Sequence, residues 1–252
     1  MGQTGQDIFN QVATFLSLTA KSLPVAAQMS DGTGESTTPV IDGTTQVCLW
    51  ITEGMERLAR LCVPITDTAI STATTAGPNG IVGPFTNIQS TSSRTLYVPT
   101  FVSIGSNLLA QTNLGFLNNM IWFPPTPDGD PIAWTDTTTY IDLSYFTTQP
   151  TFNIQGYFLP IPVNSLTDPI DPFFDDNVRL ATAYYVAWRV CAKNRDNAVL
   201  QAREMPCLIE FAKLVKETYD RLVLTDSTLS PIWPPVEMDS IIQLTKQSVP
   251  RT

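Results

Sequence analysis

Any chemistry in this chain rests on carboxylates and thiols, because its 252 residues include no histidine. That absence removes the usual general base, the commonest metal ligand, and the Ser-His-Asp and Cys-His arrangements together. The thiols Cys48, Cys62, Cys191 and Cys207 stand in no C-x-x-C spacing. Each lies in a stretch patterned as helix, so they read as buried free thiols of a reducing compartment rather than zinc ligands. Asp128-Gly129-Asp130, held between Pro127 and Pro131, offers either two carboxylates to calcium or an ordinary turn. Asp168, Asp171, Asp175 and Asp176 gather before a helix, where acids favour the positive end of its dipole. Paired-carboxylate glycoside hydrolysis needs a fixed separation between two acids, and no feature of the sequence sets one. Neither G-x-x-x-x-G-K-[ST] nor G-x-G-x-x-G occurs. The expectation is a protein with no metal, no cofactor and no enzymatic activity.

Composition points toward assembly. Only 15% of residues are charged against 43% hydrophobic, and roughly 25% charged is typical of soluble domains. Such a chain gains little solvation from charge and is expected to hide surface against neighbours. A net charge of −9 argues against wrapping a nucleic-acid backbone. By segment the charge is −3 over 1–43, zero over 44–62, −6 over 63–172, +1 over 173–224 and −1 over 225–252. Residues 63–172 hold a single basic residue, Arg94, and 27 Ser or Thr among 110 residues with many Pro and Gly, the composition of strands broken by turns. The N-terminus shows no secretory signal. Met1-Gly2 lacks the Ser or Thr that myristoylation wants at the place of Gln6. The longest apolar stretch, Ala183 to Val190, is interrupted by Arg189 and too short to span a bilayer, so no membrane partner is expected.

These residues have to be positioned by helices at the two flanks and strands between them. A first helix is expected from Thr4, with Asp7 completing a capping box and Ile8, Val12, Phe15 and Leu16 as its stripe. Residues 28–44 read as a loop. A second helix runs from about Thr45 to Cys62, with Cys48, Ile51, Met55, Leu58 and Cys62 on one face, and Pro64 ends it. In the middle, Ile141, Leu143 and Tyr145, and Phe152, Ile154 and Phe158, alternate as half-buried strands; Leu96–Val98, Phe101–Ile104 and Met120–Phe123 are further strands. A third helix is expected from an Asp176 cap to Lys193, apolar except for an edge of Arg179, Thr182, Arg189 and Lys193. Asp196 is expected to cap a fourth helix running to about Arg221, kinked at Pro206. The fold class expected is α+β: a helical bundle of 1–62 and 173–224, an inserted antiparallel β-sandwich or barrel over 63–172, and an extended arm over 225–252.

Three stretches carry a likeness: Gln155-Gly156-Tyr157-Phe158-Leu159-Pro160-Ile161-Pro162-Val163, Tyr184-Tyr185-Val186-Ala187-Trp188-Arg189, and Lys193-Asn194-Arg195-Asp196. With the order helix, loop, helix, Thr-rich β insertion, acidic loop and helical hairpin, the chain resembles the head-to-tail connector (adaptor) proteins of short-tailed bacteriophages, most clearly over 140–222. The resemblance implies a homo-oligomeric ring, commonly of twelve subunits. Such a ring sits in the neck of the virion between the portal protein and the tail tube or nozzle, assembled in the host cytoplasm. Double-stranded DNA passes through it without specific binding. A repeated acidic subunit agrees with a channel that repels phosphate.

Residues 225–252 carry Pro231, Pro234 and Pro235 among apolar residues that an arm cannot bury alone. The family implies that this segment docks on the portal, which assigns Leu229, Ile232, Trp233, Val236, Ile241, Ile242 and Leu244 to portal binding. Two other readings stay open. One is a carbohydrate-binding β-sandwich of a virion or surface protein, with Trp122 and Trp134 as exposed sugar platforms. The other is a hydrolase using carboxylates alone, which requires a deep pocket with at least two Asp or Glu.

Overall fold

Thr4 starts the first helix of the computed structural model, which describes residues 3–16, 43–73, 80–113, 117 and 125–225. The Asp7 carboxylate accepts from both the Thr4 amide (2.8 Å) and its hydroxyl (3.1 Å), and α1 runs Gly5–Phe15. The second helix, α2, spans Gly43–Leu61 and so begins two residues before the expected Thr45. Helix α3, Asp176–Lys193, is capped by Asp175 and not by Asp176: the Asp175 carboxylate accepts from the Val178 amide at 2.9 Å. Helix α4, Ala198–Thr225, is capped by Asn197 and not by Asp196, because the Asn197 side chain reaches the amides of Val199 and Leu200. The same helix continues through Pro206.

The chain divides into two units, one of residues 1–63 with 162–252 and one of Pro64–Ile161. The second junction falls at 161/162, eleven residues before the expected one. Residues 162–174 have the polar, proline-containing composition of the β region, yet their backbone bonds run to the helical unit. The Gly5 amide donates to the Asp168 carbonyl, the Gln6 amide to Leu166, and the Ile170 amide to Gln3. The Thr52 hydroxyl on α2 accepts from the Val163 amide at 2.9 Å and donates to its carbonyl at 3.3 Å.

In the helical unit the expected stripe of α2 is buried, as are Ile8 and Val12 of α1 and Leu16 at its C-terminal cap. Gly54 lets α2 approach α3 closely: a Cβ there would lie 2.9 Å from the Tyr185 ring. Tyr185 is at the centre of the aromatic packing, edge-on to Trp188 (5.4 Å between centroids) and tilted on Phe211 of α4 (5.3 Å). Thr182, placed on a polar edge by the sequence reading, is instead fully buried. Its hydroxyl donates to the Val178 carbonyl at 3.0 Å, which satisfies it inside the helix. Arg203 of α4 donates to the Phe15 carbonyl, capping the end of α1, while Phe15 stacks on Tyr184 at 4.2 Å.

The β unit has eight strands among the described residues: β1 (Thr66–Thr72), β2 (Ile81–Val82), β3 (Leu96–Ile104), β4 (Asn107–Leu108), β5 (Ala110–Gln111), β6 (Ala133–Asp136), β7 (Ile141–Leu143) and β8 (Thr151–Phe158). They make two four-stranded sheets, ordered β1-β8-β3-β4 and β2-β7-β6-β5, so the chain is α+β. The first sheet is antiparallel throughout; in the second, β5 and β6 run parallel. Phe152, Ile154 and Phe158 of β8 point inward as expected. Leu96–Val98 and Phe101–Ile104 are one strand instead of two, carried through buried Pro99 with two register shifts against β8. The alternation from Ile141 breaks after Leu143. Ser144 turns inward, where its hydroxyl accepts from the Ile132 and Ala133 amides (3.0 and 3.1 Å), and this puts Phe146 in the core and leaves Tyr145 exposed. The strand expected at Met120–Phe123 and the arm beyond Thr225 lie outside the described residues, as does the loop expected over 28–44 except for Gly43 and Thr44, which belong to α2.

Arg94, the one cation of this unit, is 6% exposed and donates to Asp67 at 2.8 Å. Burial raises the Asp67 carboxyl, but the Thr68 amide, the Ser90 hydroxyl and the Arg94 guanidinium outweigh it and hold the group below its ordinary value. The charged form is therefore favoured by folding. Its contribution is present above the ordinary carboxylate value of about 3.9 and is lost as pH falls through the lower folded value. Asp67→Asn should then cost more stability at pH 7 than at pH 3, read from urea midpoints; equal losses at both would refute the coupling.

Candidate interaction surface

Three of the acidic residues singled out in the sequence, Asp168, Asp171 and Asp175, hold backbone amides. Asp168 accepts from the amides of Asn164 and Ser165, both at 2.9 Å, and Asp171, buried, accepts from Phe173 at 3.1 Å. Asp175 caps α3 with one oxygen and accepts from Arg221 of α4 with the other at 2.8 Å; Asp176 accepts from Arg179 at 3.0 Å. Asp128-Gly129-Asp130 is a turn, with Gly129 at φ 85°, its amide on the Thr126 carbonyl, and Asp130 accepting from the Thr148 hydroxyl at 2.8 Å. Among the described residues, no group of three His, Cys, Asp or Glu could hold a metal ion.

One strongly perturbed hydroxyl joins two helices. Tyr185 donates to Glu53 of α2 at 2.6 Å, and Arg189 donates to the same oxygen at 3.1 Å. Burial first, then this carboxylate, pushes the phenol up to about 12. Tyr185 thus stays a donor at neutral pH, and the cluster ties α2 to α3. Burial also raises the Asp142 carboxyl.

The feature left unsatisfied is apolar surface. Ile70 is 64% exposed, Phe101 53% and Leu108 64%. The strand register puts all three on the outer face of the sheet β1-β8-β3-β4. Ile70 pairs with Asn153, Asn153 with Ser103 and Ser103 with Leu108, while Phe101 pairs with Gln155 and Gln155 with Thr68, one step along the same face. The residues between them are Thr, Ser, Asn and Gln, so this face carries no charge. The sequence reading placed Phe101 in an apolar run taken as a strand, without a face, and did not single out Ile70 or Leu108. A signal was present: Thr66, Thr68, Ile70 and Thr72 alternate with the buried Ala69, which sets Ile70 among the hydroxyls and away from the core. In the helical unit Val199 and Met205 of α4 are also exposed, at 60% and 46%.

Trp134 is 1% exposed within β6, which removes one of the two sugar platforms; Trp122 lies outside the described residues. So do Leu229, Ile232, Trp233, Val236, Ile241, Ile242 and Leu244, assigned to portal binding from the resemblance. No helix among the described residues is long and apolar enough to cross a membrane. No known protein family matches the chain, and no curated protein matches it.

Proposed function

We propose that the chain is a non-enzymatic structural adaptor that assembles into a homo-oligomeric ring of about twelve subunits, between the portal and the tail of a short-tailed phage. The observation that carries the reading is the uncharged outer sheet face with Ile70, Phe101 and Leu108 exposed on a subunit of net charge −9. Like-charged copies repel each other over most of their surface and meet best where charge is absent and apolar area waits to be buried. In this reading the two sheets form a sandwich, which presents that face to a neighbouring copy. The segment 225–252 is an extended arm whose Trp233 and neighbouring apolar residues dock on the portal. The accumulated negative charge of the ring lets double-stranded DNA pass without sticking.

Negative-stain images and light scattering of the purified chain test the assembly. Rings with a central opening are expected, and Phe101→Glu, a change on an exposed side chain, should shift them to smaller species without altering the circular dichroism spectrum. A monomer at every concentration sinks the proposal. Rings that persist unchanged in Phe101→Glu keep the ring but reject this face.

A further inference from the structure

A ring of more than two copies needs two different patches on every subunit, because only a half-turn brings a patch onto itself. The sheet face with Ile70, Phe101 and Leu108 is one such patch, and it has to meet another. The remaining large apolar side chains exposed among the described residues are Leu49, Tyr145, Phe173, Val199 and Met205. Tyr145 and Phe173 stand outside the helices and strands, and Leu49 is followed one turn along α2 by Thr52 and Glu53. Val199 and Met205 instead belong to a stripe.

At helical spacing Val199, Ala202, Met205, Pro206 and Ile209 share the side of α4 opposite the buried Leu200, Cys207 and Phe211. Ala202 and Pro206 are exposed like Val199 and Met205, and Ile209 is half-buried. The two charged residues of these turns lie off the stripe and are engaged. Arg203 donates to the Phe15 carbonyl, and Glu204 accepts from Arg195 at 3.0 and 2.7 Å. Beyond Ile209 the same side becomes polar, with Lys213 and Lys216 paired to Glu210 and Asp220. The apolar stretch from Val199 to Ile209 is thus about 15 Å of helix. On the sheet, Ile70 of β1 and Leu108 of β4 are three strand spacings apart, about 14 Å. A helix laid across the strands therefore matches the span of the exposed face.

We propose that the α4 stripe of one copy seats on the Ile70, Phe101 and Leu108 sheet face of the next copy, as the repeating contact between subunits. Charge selects this pairing. Residues 176–225, the α3–α4 hairpin, carry eight basic and six acidic residues, a net +2. Residues 64–161 carry one basic and five acidic residues, a net −4. The other parts are negative as well: −3 over 1–63, −3 over 162–175 and −1 over 226–252. Of these parts only the hairpin attracts the β unit of a neighbour, whereas sheet against sheet would bring two units of −4 together. Between the two patches themselves no charge has to be desolvated, and a helix on a sheet face is an ordinary packing layer. The inference rests on the proposed ring and names what its exposed sheet face meets.

The test mixes two full-length variants that each spoil one patch: Phe101→Glu on the sheet and Met205→Glu on the stripe, both at exposed side chains. Each alone is expected to be monomeric by light scattering, with an unchanged circular dichroism spectrum. Their equimolar mixture should read twice the subunit mass and no more. The first variant keeps its stripe, the second keeps its sheet face, and the dimer they form ends in two spoiled patches. Should either variant fail to fold, Leu108→Glu takes the place of Phe101→Glu and Val199→Glu that of Met205→Glu. If the wild-type chain forms rings, three results would overturn this pairing and leave the ring standing: Met205→Glu that still forms rings, Met205→Glu that dimerises by itself, or a mixture that stays monomeric. A wild-type chain that forms no ring removes the proposed ring and this contact with it.

Discussion

Gly156→Ala is expected to unfold the β unit or leave it severely weakened, by about 3 kcal/mol or more. At this place on β8 a Cβ would lie 2.3 Å from the Val98 carbonyl oxygen and 3.0 Å from the Pro99 Cα, both backbone of the neighbouring strand. A flexible side chain can yield to such a contact; a paired strand can yield only by parting from β8, which is hydrogen-bonded on both sides. Gly105→Ala is the control. Nothing lies within 4 Å of a Cβ there, and only the positive φ of 56° opposes it, a cost of roughly 1–2 kcal/mol. Urea unfolding of the two variants, followed by tryptophan fluorescence, measures the difference; comparable losses would mean that β3 and β8 are not packed this closely.

Phe211→Ala should cost the helical unit roughly 3–5 kcal/mol. The ring is 1% exposed and packs on Tyr185, whose own ring rests against Gly54 and whose hydroxyl holds Glu53. Removing it leaves a cavity against an aromatic ring that cannot follow inward without stretching its bond to Glu53. Phe211→Leu, which fills most of the space, should lose less than half as much. The check is again the unfolding midpoint, and a loss below about 1 kcal/mol for Phe211→Ala would show that the site collapses freely.

The helices were legible because their apolar residues recur at helical spacing: Cys48, Ile51, Met55, Leu58 and Cys62 need no tertiary information to be read as one face. Caps were read to within a residue, since Asp175 and Asp176, or Asp196 and Asn197, are chemically interchangeable candidates and only backbone direction chooses between them. What escaped was decided by distant partners. The strap 162–174 belongs with α1 and α2 through bonds to Gln3, Gly5, Gln6 and Thr52 that local composition does not announce. Ser144 turned the strand after Leu143 because two amides of the neighbouring segment needed an acceptor. Of the surface, the sequence showed that apolar area was in excess but not where, because the face that exposes Ile70, Phe101 and Leu108 is set by register across four strands. The residues assigned to portal docking were chosen by resemblance and lie outside the described residues.

Strands β1 and β8 pair along their whole length, from Thr66 opposite Tyr157 to Thr72 opposite Thr151, and the Phe158 amide closes the ladder on the Ile65 carbonyl. The chain therefore enters the β unit and leaves it at adjacent points. An ancestor could acquire, lengthen or exchange everything between those points without moving the ends of the helices on either side, because a long loop whose ends already meet adds little closure entropy. Diversity among descendants should accordingly accumulate as whole-segment replacement at this doorway, with the four helices inherited as a fixed frame. A laboratory chimera that swaps the segment for a two-residue turn between Thr66 and Tyr157 imitates the same event in reverse.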